Sequence, residues 1–439
     1  MKNKIYNFYL YILHILVFFS CYLNSPKLCA YFIKLSLFKQ KSLKRKVNSE
    51  KITLVLYRAV GERDVRIIEK SSNKIPQILF MRRSIVKLVF YFFSSRRKIF
   101  FNYSKAGLRV NQMDYFNQDK KNKIKLDLFW EDVIFNLKSF YNNKIFNLVT
   151  FNFNYFEEIP LYAACKKNNL PVKLWFKECF RSDPEIEYFI KEHRYGHVFP
   201  LFEKISVYNK SMKNALIALD KSNSKKITVN GCPRIFDYIN KKKYYKQVKD
   251  ILFLSFHTKS GIPHYRNDFD NKKRTPLYEK NRKINWNITY DKTIKILNEL
   301  SNNKNLNVVI KRKKSSGYKS SIKINKKIKI FEENTAQKYI NQADIIIGQN
   351  SASTIEALVN GKHVFVPFFE KKKILRKYLY NFNQQIICSS EKKMKKNILN
   401  LINKKFMFPI KNAKNQKTIY DYYGSSKNVV KNYVNFLNS

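Results

Sequence analysis

Residues 343–369, ADIIIGQNSASTIEALVNGKHVFVPFF, hold the densest set of groups that could bind an anion. An apolar run ends in Gly348-Gln349-Asn350, after which Ser351, Ser353 and Thr354 open a helix. The first N–H groups of a helix have no acceptor inside it and point at the preceding loop. With hydroxyl donors beside them they form an anion site at a strand's carboxyl end. In doubly wound sheets that edge is where ligands bind. Glu356 lies one turn further on, placed to meet a ribose or sugar hydroxyl. The same residues would also serve an ordinary Ser-capped helix.

The elements that must position such a turn are legible along the chain. From residue 51 the pattern alternates strand and helix. KITLVLY (51–57) reads as a buried strand, RAVGERD (58–64) as a polar turn, and QILFM (77–81) and KIFFNYS (98–104) as strands. IVKLVFYFF (85–93) fits helix or strand. KIFNLVTFNFN (144–154) is a strand, 157–170 a helix, PVKLWFKE (171–178) a strand, 204–219 a strand and helix, and 226–231 a strand. The charged stretch 240–249 marks a boundary, and the alternation restarts at DILFLSF (250–256). A long polar loop from His257 to about Lys283 follows; loops of that length in compact domains are functional or disordered. Then come a helix at 290–303, strands at 306–314 and near 328–332, a helix at 334–343 and the 344–368 strand–helix–strand. A last strand and helix (385–405) and a C-terminal helix (427–438) close the chain. Repeated alternation implies parallel sheets covered on both faces. The expected fold is α/β: two tandem Rossmann-like doubly wound domains preceded by an apolar helical segment. The expected division is 1–47, 48–240, 248–425 and 426–439.

Three segments carry a family resemblance. Residues 343–369 resemble the donor-binding strand–turn–helix of GT-B glycosyltransferases, on Asn350, Ser351, Glu356, Ala357, Gly361, His363, Val364 and Pro367. ITVNGCPRIFDY (227–238) resembles the G-x-P-R-x-D signature of bacterial capsule and surface-polysaccharide transferases, on Gly231, Pro233, Arg234 and Asp237. LPVKLWFKECFRSD (170–183) resembles the strand and K-E turn of the same enzymes, at Lys177 and Glu178. The segments stand in family order and, with the alternation, span about residues 50–438. One departure stands out. CMP-sugar and CDP-glycerol users often place Lys-x-His-Pro after the second-domain strand, whereas this strand runs into Lys311-Arg312-Lys313-Lys314-Ser315. The His is missing; Lys311 or Arg312 could supply the positive charge, since Arg forks onto phosphate.

The resemblance implies a chemistry. A nucleotide sugar breaks at its anomeric carbon, and cations with helix N–H groups stabilise the leaving phosphate. In an inverting enzyme a first-domain carboxylate deprotonates the acceptor hydroxyl. Glu62, Asp64 and Glu178 are the candidates, with Glu178 favoured because it joins a strand end to the family turn; each could instead be a surface carboxylate or a salt-bridge partner. His257 and His264, in the long loop, would fit a donor contact. The resemblance implies a nucleotide-sugar co-substrate, no cofactor and no metal, since no Asp-x-Asp motif serves the site. It also implies a glycan or glycolipid acceptor. Transfer of a polyol phosphate from a CDP donor and a non-catalytic GT-B-like scaffold are the alternatives. His193 and His197 have near-helical spacing without a carboxylate pattern that would make them metal ligands. Trp175 and Trp286 read as core.

Composition bounds the rest. The 439 residues carry 86 Lys and Arg against 32 Asp and Glu, a net charge of +54. That excess is compatible with nucleic acid, an anionic membrane or acidic substrates. No helix-turn-helix, RNP-type or zinc signature supports nucleic acid, and the basic residues are spread along the chain. Abundant Lys, Asn, Ile, Phe and Tyr with scarce Ala and Gly are what AT-rich codons would produce, and the KKK runs at 241–243 and 371–373 read as solvated charge. Residues 5–23, IYNFYLYILHILVFFSCYL, are about as long as the roughly 20 residues a spanning helix needs, interrupted by Asn7 and His14. No small-residue cleavage site follows. The basic residues lie after the run, which would leave the remainder cytoplasmic if it spans. The next segment, ending in Lys44-Arg45-Lys46, could lie on anionic headgroups; both could equally be helices packed on the first domain. Six Cys without a CxxC pair suit a reducing compartment. The expected location is cytoplasmic, peripheral to or N-terminally anchored at the inner membrane.

Overall fold

In a computed structural model, the described residues are 2–38, 48–93, 120–153, 155–193, 199–235, 242–256, 286–312, 320–332, 336–349, 351–369, 379, 382, 386–410, 413–424 and 428–439. The chain forms two compact units, the first made of Met1–Cys179, Phe189–Arg234 and Gly424–Ser439, the second of Phe180–Tyr188 and Ile235–Tyr423. Each contains a six-stranded sheet, and every strand pair within these sheets is parallel. The chain is thus α/β, with two Rossmann-like doubly wound units in tandem.

The first unit begins with helices α1 (Lys2–Tyr22) and α2 (Pro26–Ser36). Strand β1 (Asn48–Leu56), helix α3 (Ala59–Ser71), strand β2 (Pro76–Met81) and helix α4 (Arg83–Phe93) follow. Residues 58–64, a turn by composition, are instead the N-cap, Arg58, and the start of α3. Its buried Asp64, Val65, Ile67 and Ile68 recur at helical spacing, and that burial outweighs the polar appearance of RAVGERD. The 85–93 ambiguity resolves to helix, with Ile85, Val86, Val89 and Phe90 buried on one face. Residues 98–104 lie outside the described residues. Helix α5 (Lys120–Ser139), strand β3 (Ile145–Thr150), helix α6 (Ile159–Lys167) and strand β4 (Val172–Trp175) come next. Helix α7 (Asp183–His193), strand β5 (Lys204–Val207), helix α8 (Lys210–Leu219) and strand β6 (Ile227–Val229) complete this stretch. The strand order is β2-β1-β3-β4-β5-β6. Every residue of β4 is buried, as expected of a strand covered on both faces.

The apolar N-terminal helices pack on the first unit: α1 lies against α2 and α4, and α2 against α5. His14, a polar break in the apolar run, bonds Leu10 O through Nδ1 (2.6 Å) and Ser84 Oγ through Nε2 (2.8 Å). Among the described residues no helix is long and apolar enough to cross a membrane.

The second unit carries strands β7 (Tyr244–Gln247), β8 (Asp250–Leu254), helix α9 (Trp286–Leu300), strands β9 (Asn307–Lys311) and β10 (Lys329–Phe331), and helix α10 (Gln337–Gln342). Strand β11 (Ile345–Ile347), helix α11 (Ala352–Val359), strands β12 (His363–Pro367) and β13 (Ile387–Cys388), and helix α12 (Glu391–Ile402) follow. Its order is β10-β9-β8-β11-β12-β13. The charged stretch before β8 is part of an antiparallel pair, β7 with β14 (Lys405–Phe408). Helix α13 (Ala413–Tyr423) leads back to the first unit.

Helix α14 (Val429–Asn438) belongs to the first unit rather than standing alone. Its buried Val429, Tyr433, Phe436 and Leu437 need an apolar partner, and Tyr433 stacks on Trp175 with ring centroids 3.9 Å apart. All six cysteines are buried thiols outside any disulfide.

Candidate functional site

The second sheet places the 348–354 turn at its point of reversal. From β8 the chain goes one way to β9 and β10; β11 lies on the other side of β8, and β12 and β13 continue outward. The carboxyl ends of β8 and β11 are therefore neighbours from which connections diverge, and such a switch point opens a crevice. Ile347 pairs with Phe253 and Lys311 with Leu254, so Lys311, Leu254 and Gly348 form a row along the carboxyl edge. Lys311 and Gly348 stand two strand spacings apart, about 10 Å.

The turn itself is tightly held. Gly348 N donates to Phe365 O (3.0 Å), and Gln349 Nε2 donates to Pro367 O. A Cβ on Gly348 would lie 2.8 Å from Thr354 Oγ1, so a side chain there would displace the turn. Thr354 Oγ1 donates to Gln349 O (2.7 Å), and Ser351 Oγ caps the helix by accepting from Thr354 N (3.3 Å). These two hydroxyls therefore hold the loop in shape first. What the turn offers a ligand is its first-turn N–H groups and half-buried Ser353. The helix ends at Gly361, whose φ of +64° suits glycine and where a Cβ would run into Pro409.

The other donor candidates are placed as follows. Lys311 is buried at the end of β9 and donates from Nζ to Arg312 O (2.6 Å). Arg312 lies 3.8 Å from exposed Glu332, and its Nε is buried without a hydrogen-bond partner among the described residues. Glu356 is buried rather than displayed toward solvent. Asn350 and His257 lie outside the described residues, as do His264, Lys313, Lys314 and Asp237.

The first-unit carboxylates fall into three environments. Asp64 is fully buried on α3, 2.5 Å from Tyr208 Oη, which donates to it, and 2.9 Å from Arg234 Nε. Burial and Asp64 push the Tyr208 phenol well above its usual pKa. Arg234, from the G-x-P-R signature, thus ties the end of β6 to α3. Glu62 pairs with Arg66 one turn along the same helix. Glu178 follows β4, its side chain 49% exposed and 3.9 Å from Lys177. Lys177 itself has a lowered pKa, chiefly from burial. Each of the three carboxylates meets a different basic side chain: Asp64 meets Arg234, Glu62 meets Arg66 and Glu178 meets Lys177.

Between the ends of β1 and β3, the reversal point of the first sheet, lies a polar cluster that strand-and-turn reading passes over. Glu158 accepts from Arg58 (3.0 Å), Arg83 and Tyr162 Oη (2.6 Å). Glu157 pairs with Arg83 (2.7 Å) and Lys87 (3.2 Å). The Tyr155 ring meets both guanidinium groups, Arg58 at 4.0 Å and Arg83 at 3.6 Å. Burial and then Glu158 raise the Tyr162 phenol well above its usual range. Arg58 Nε is buried without a hydrogen-bond partner among the described residues. The sequence signal is the pair Glu157-Glu158 directly after a strong strand. Among the described residues no group of three His, Cys, Asp or Glu could hold a metal ion.

No family model matches this sequence, and no curated protein matches it. Several solved structures are similar in fold. UDP-GlcNAc 2-epimerase from Methanocaldococcus jannaschii is 13% identical with a TM-score of 0.47, over 89% of this chain and 100% of that one. UDP-GlcNAc 2-epimerase from Neisseria meningitidis, bound to UDP-GlcNAc, is 11% identical with a TM-score of 0.45, over 88% and 99%. The wall teichoic acid polymerase TagF is 9% identical with a TM-score of 0.44, over 99% and 97%. The likeness is one of fold.

Proposed function

We propose that this chain is a glycosyltransferase of GT-B type, moving a sugar from a nucleotide-sugar donor to a surface-polysaccharide acceptor. The observation that carries the reading is the second sheet's switch point, where Gly348, the first turn of α11 and Lys311 share one carboxyl edge. Helix N–H groups and a buried lysine suit the pyrophosphate of a nucleotide sugar. As the bond to the anomeric carbon breaks, the same groups stabilise the charge left on phosphate.

Acceptor activation falls to Glu178 in this reading. Asp64 is engaged by Arg234 and Tyr208, and Glu62 by Arg66. Glu178 is the candidate with substantial solvent access. Its carboxylate would take the proton of the attacking hydroxyl.

A membrane seat belongs to the same proposal. Phe8, Tyr11, Ile15, Phe19 and Tyr22 form an exposed stripe along α1, and Leu28, Tyr31 and Leu35 one along α2. Amphipathic helices of this kind lie in the headgroup region, with lysines drawn to anionic lipid. Such a seat would bring the enzyme to a lipid-linked acceptor.

Protection against heat by UDP, CMP, CDP and GDP tests the donor site. Stabilisation by one of them supports the transferase; response to CDP alone would turn the reading toward polyol phosphate transfer. No response to any would leave a non-catalytic scaffold.

A further inference from the structure

The second unit contains a cavity unrelated to the switch point. It has a volume of about 590 Å³, within the roughly 300–1,000 Å³ of small-molecule sites. It lies between β12, α12, Ile410 and helix α13. Because His363 opens β12, the cavity reaches the sheet's amino side, away from the edge that carries Lys311 and Gly348.

Its walls divide by chemistry. Leu358, Phe365, Ile386, Leu401 and Ile419 give an apolar interior. Lys393, Asn397 and Asn400 are spaced along α12 at its rim, and none of the lining residues is acidic. His363 adds an unusual polar point. Its Nε2 is buried without a hydrogen-bond partner among the described residues, and its ring packs edge-on against Phe406 at 4.6 Å. Burial, working against nearby Asp344, pushes the imidazole pKa down to about 4, so near neutral pH the ring adds no charge to this wall.

We propose that this cavity is a second ligand site, taking a single-chain amphiphile with an anionic head. The chain occupies the Leu358–Leu401–Ile419 interior; the head, a carboxylate or a phosphate, meets Lys393, whose Nζ also donates to Ile387 O at 3.2 Å. The site is independent of the transfer reaction, although Leu358 ends the same helix that Ser351 begins.

Calorimetric titration of the full chain tests this, with dodecanoate, dodecyl phosphate and uncharged dodecyl maltoside below their micellar concentrations. Asn400→Trp should block the rim, and Lys393→Met should remove the head contact; both lie on the exposed face of α12, and an unchanged melting temperature confirms folding. The expected result is that at least one anion binds and the maltoside binds about tenfold or more weaker. Asn400→Trp should cut anion affinity about tenfold or more, and Lys393→Met should narrow the gap between charged and uncharged heads. Which anion binds distinguishes a fatty acid from a lipid phosphate. Absence of binding, equal affinity for all three heads, or binding unchanged in Asn400→Trp would overturn the site.

Discussion

Lys173 lies inside the first sheet and donates from Nζ to the carbonyl of Phe436 at 2.9 Å, with Leu437 O at 3.3 Å. A lysine in the middle of a buried strand thus caps the carboxyl end of the chain's last helix, where carbonyls have no partner within the helix. Asn147 Nδ2 reaches the same Leu437 carbonyl at 2.9 Å. Together they fasten residues 428–439 to strands more than 250 positions earlier in sequence.

This lysine should leave a mark on the pH dependence of stability. Burial, with Lys204 beside it, lowers its pKa from 10.5 to about 8. Between those values the unfolded chain holds a proton that the folded one has released, so stability from this group rises with pH. Below about 8 both states are protonated and the desolvation cost stands in full. Denaturant unfolding of wild type and Lys173→Met between pH 7 and 11 should show a rise in the wild type that the variant lacks. Parallel profiles would contradict it.

Asp64 and Arg234 form a buried pair whose halves depend on one another. Removing one partner leaves an uncompensated charge, at a cost of about 3–5 kcal/mol. Arg234→Met should therefore destabilise the protein by roughly that amount. Asp64→Asn together with Arg234→Met should recover much of the loss, as read from denaturation midpoints. Equal stability of the single and double variants would show that the pair is not coupled.

The turn at 348–354 was recognisable from its residue types, because Gly, Ser and Thr have narrow local uses. Its architecture was legible too, since apolar strands announce themselves. The first-unit cluster was not: Arg58, Arg83 and Glu158 are distant in sequence, and the pairing of β1 with both β2 and β3 brings them together. Glu157 and Glu158 look like the start of a helix when read alone. Asp64 likewise resembles a surface carboxylate in a charged stretch, and its burial follows from α3 turning that side toward Tyr208. Helix α5 does carry its signal, with Leu126, Phe129, Trp130, Val133, Ile134 and Leu137 on one face, but a strand-led reading leaves it unassigned.

Ser351 caps α11 through Thr354 N, and Ser351→Ala should cost about 1 kcal/mol of stability. The larger effect should be on the loop's shape. Thr354→Val removes the bond to Gln349 O and should weaken nucleotide binding while leaving the far-ultraviolet circular dichroism unchanged. Undiminished nucleotide affinity in Thr354→Val would separate this turn from the donor site.

The apolar stripe of α1 should bind vesicles. Tyr11, Ile15 and Phe19 are exposed, so Tyr11→Asp, Ile15→Asp and Phe19→Asp combined should leave the fold intact. Co-sedimentation with vesicles containing phosphatidylserine should fall at least about tenfold in the triple variant. Salt should weaken, without abolishing, the binding of the wild type, since only its electrostatic part is screened. Equal sedimentation of both proteins would contradict a membrane seat on α1.

The central claim is that the carboxyl edge of the second sheet holds a nucleotide sugar's phosphates while a first-unit carboxylate activates the acceptor. Its most direct test is equilibrium binding of the stabilising nucleotide to wild type, Lys311→Met and Glu178→Gln, with turnover of the matching nucleotide sugar measured alongside. The predicted result is affinity lowered about tenfold or more in Lys311→Met, with Glu178→Gln binding like wild type and failing to turn over. Binding that is absent from the wild type, or unchanged in Lys311→Met, would contradict it.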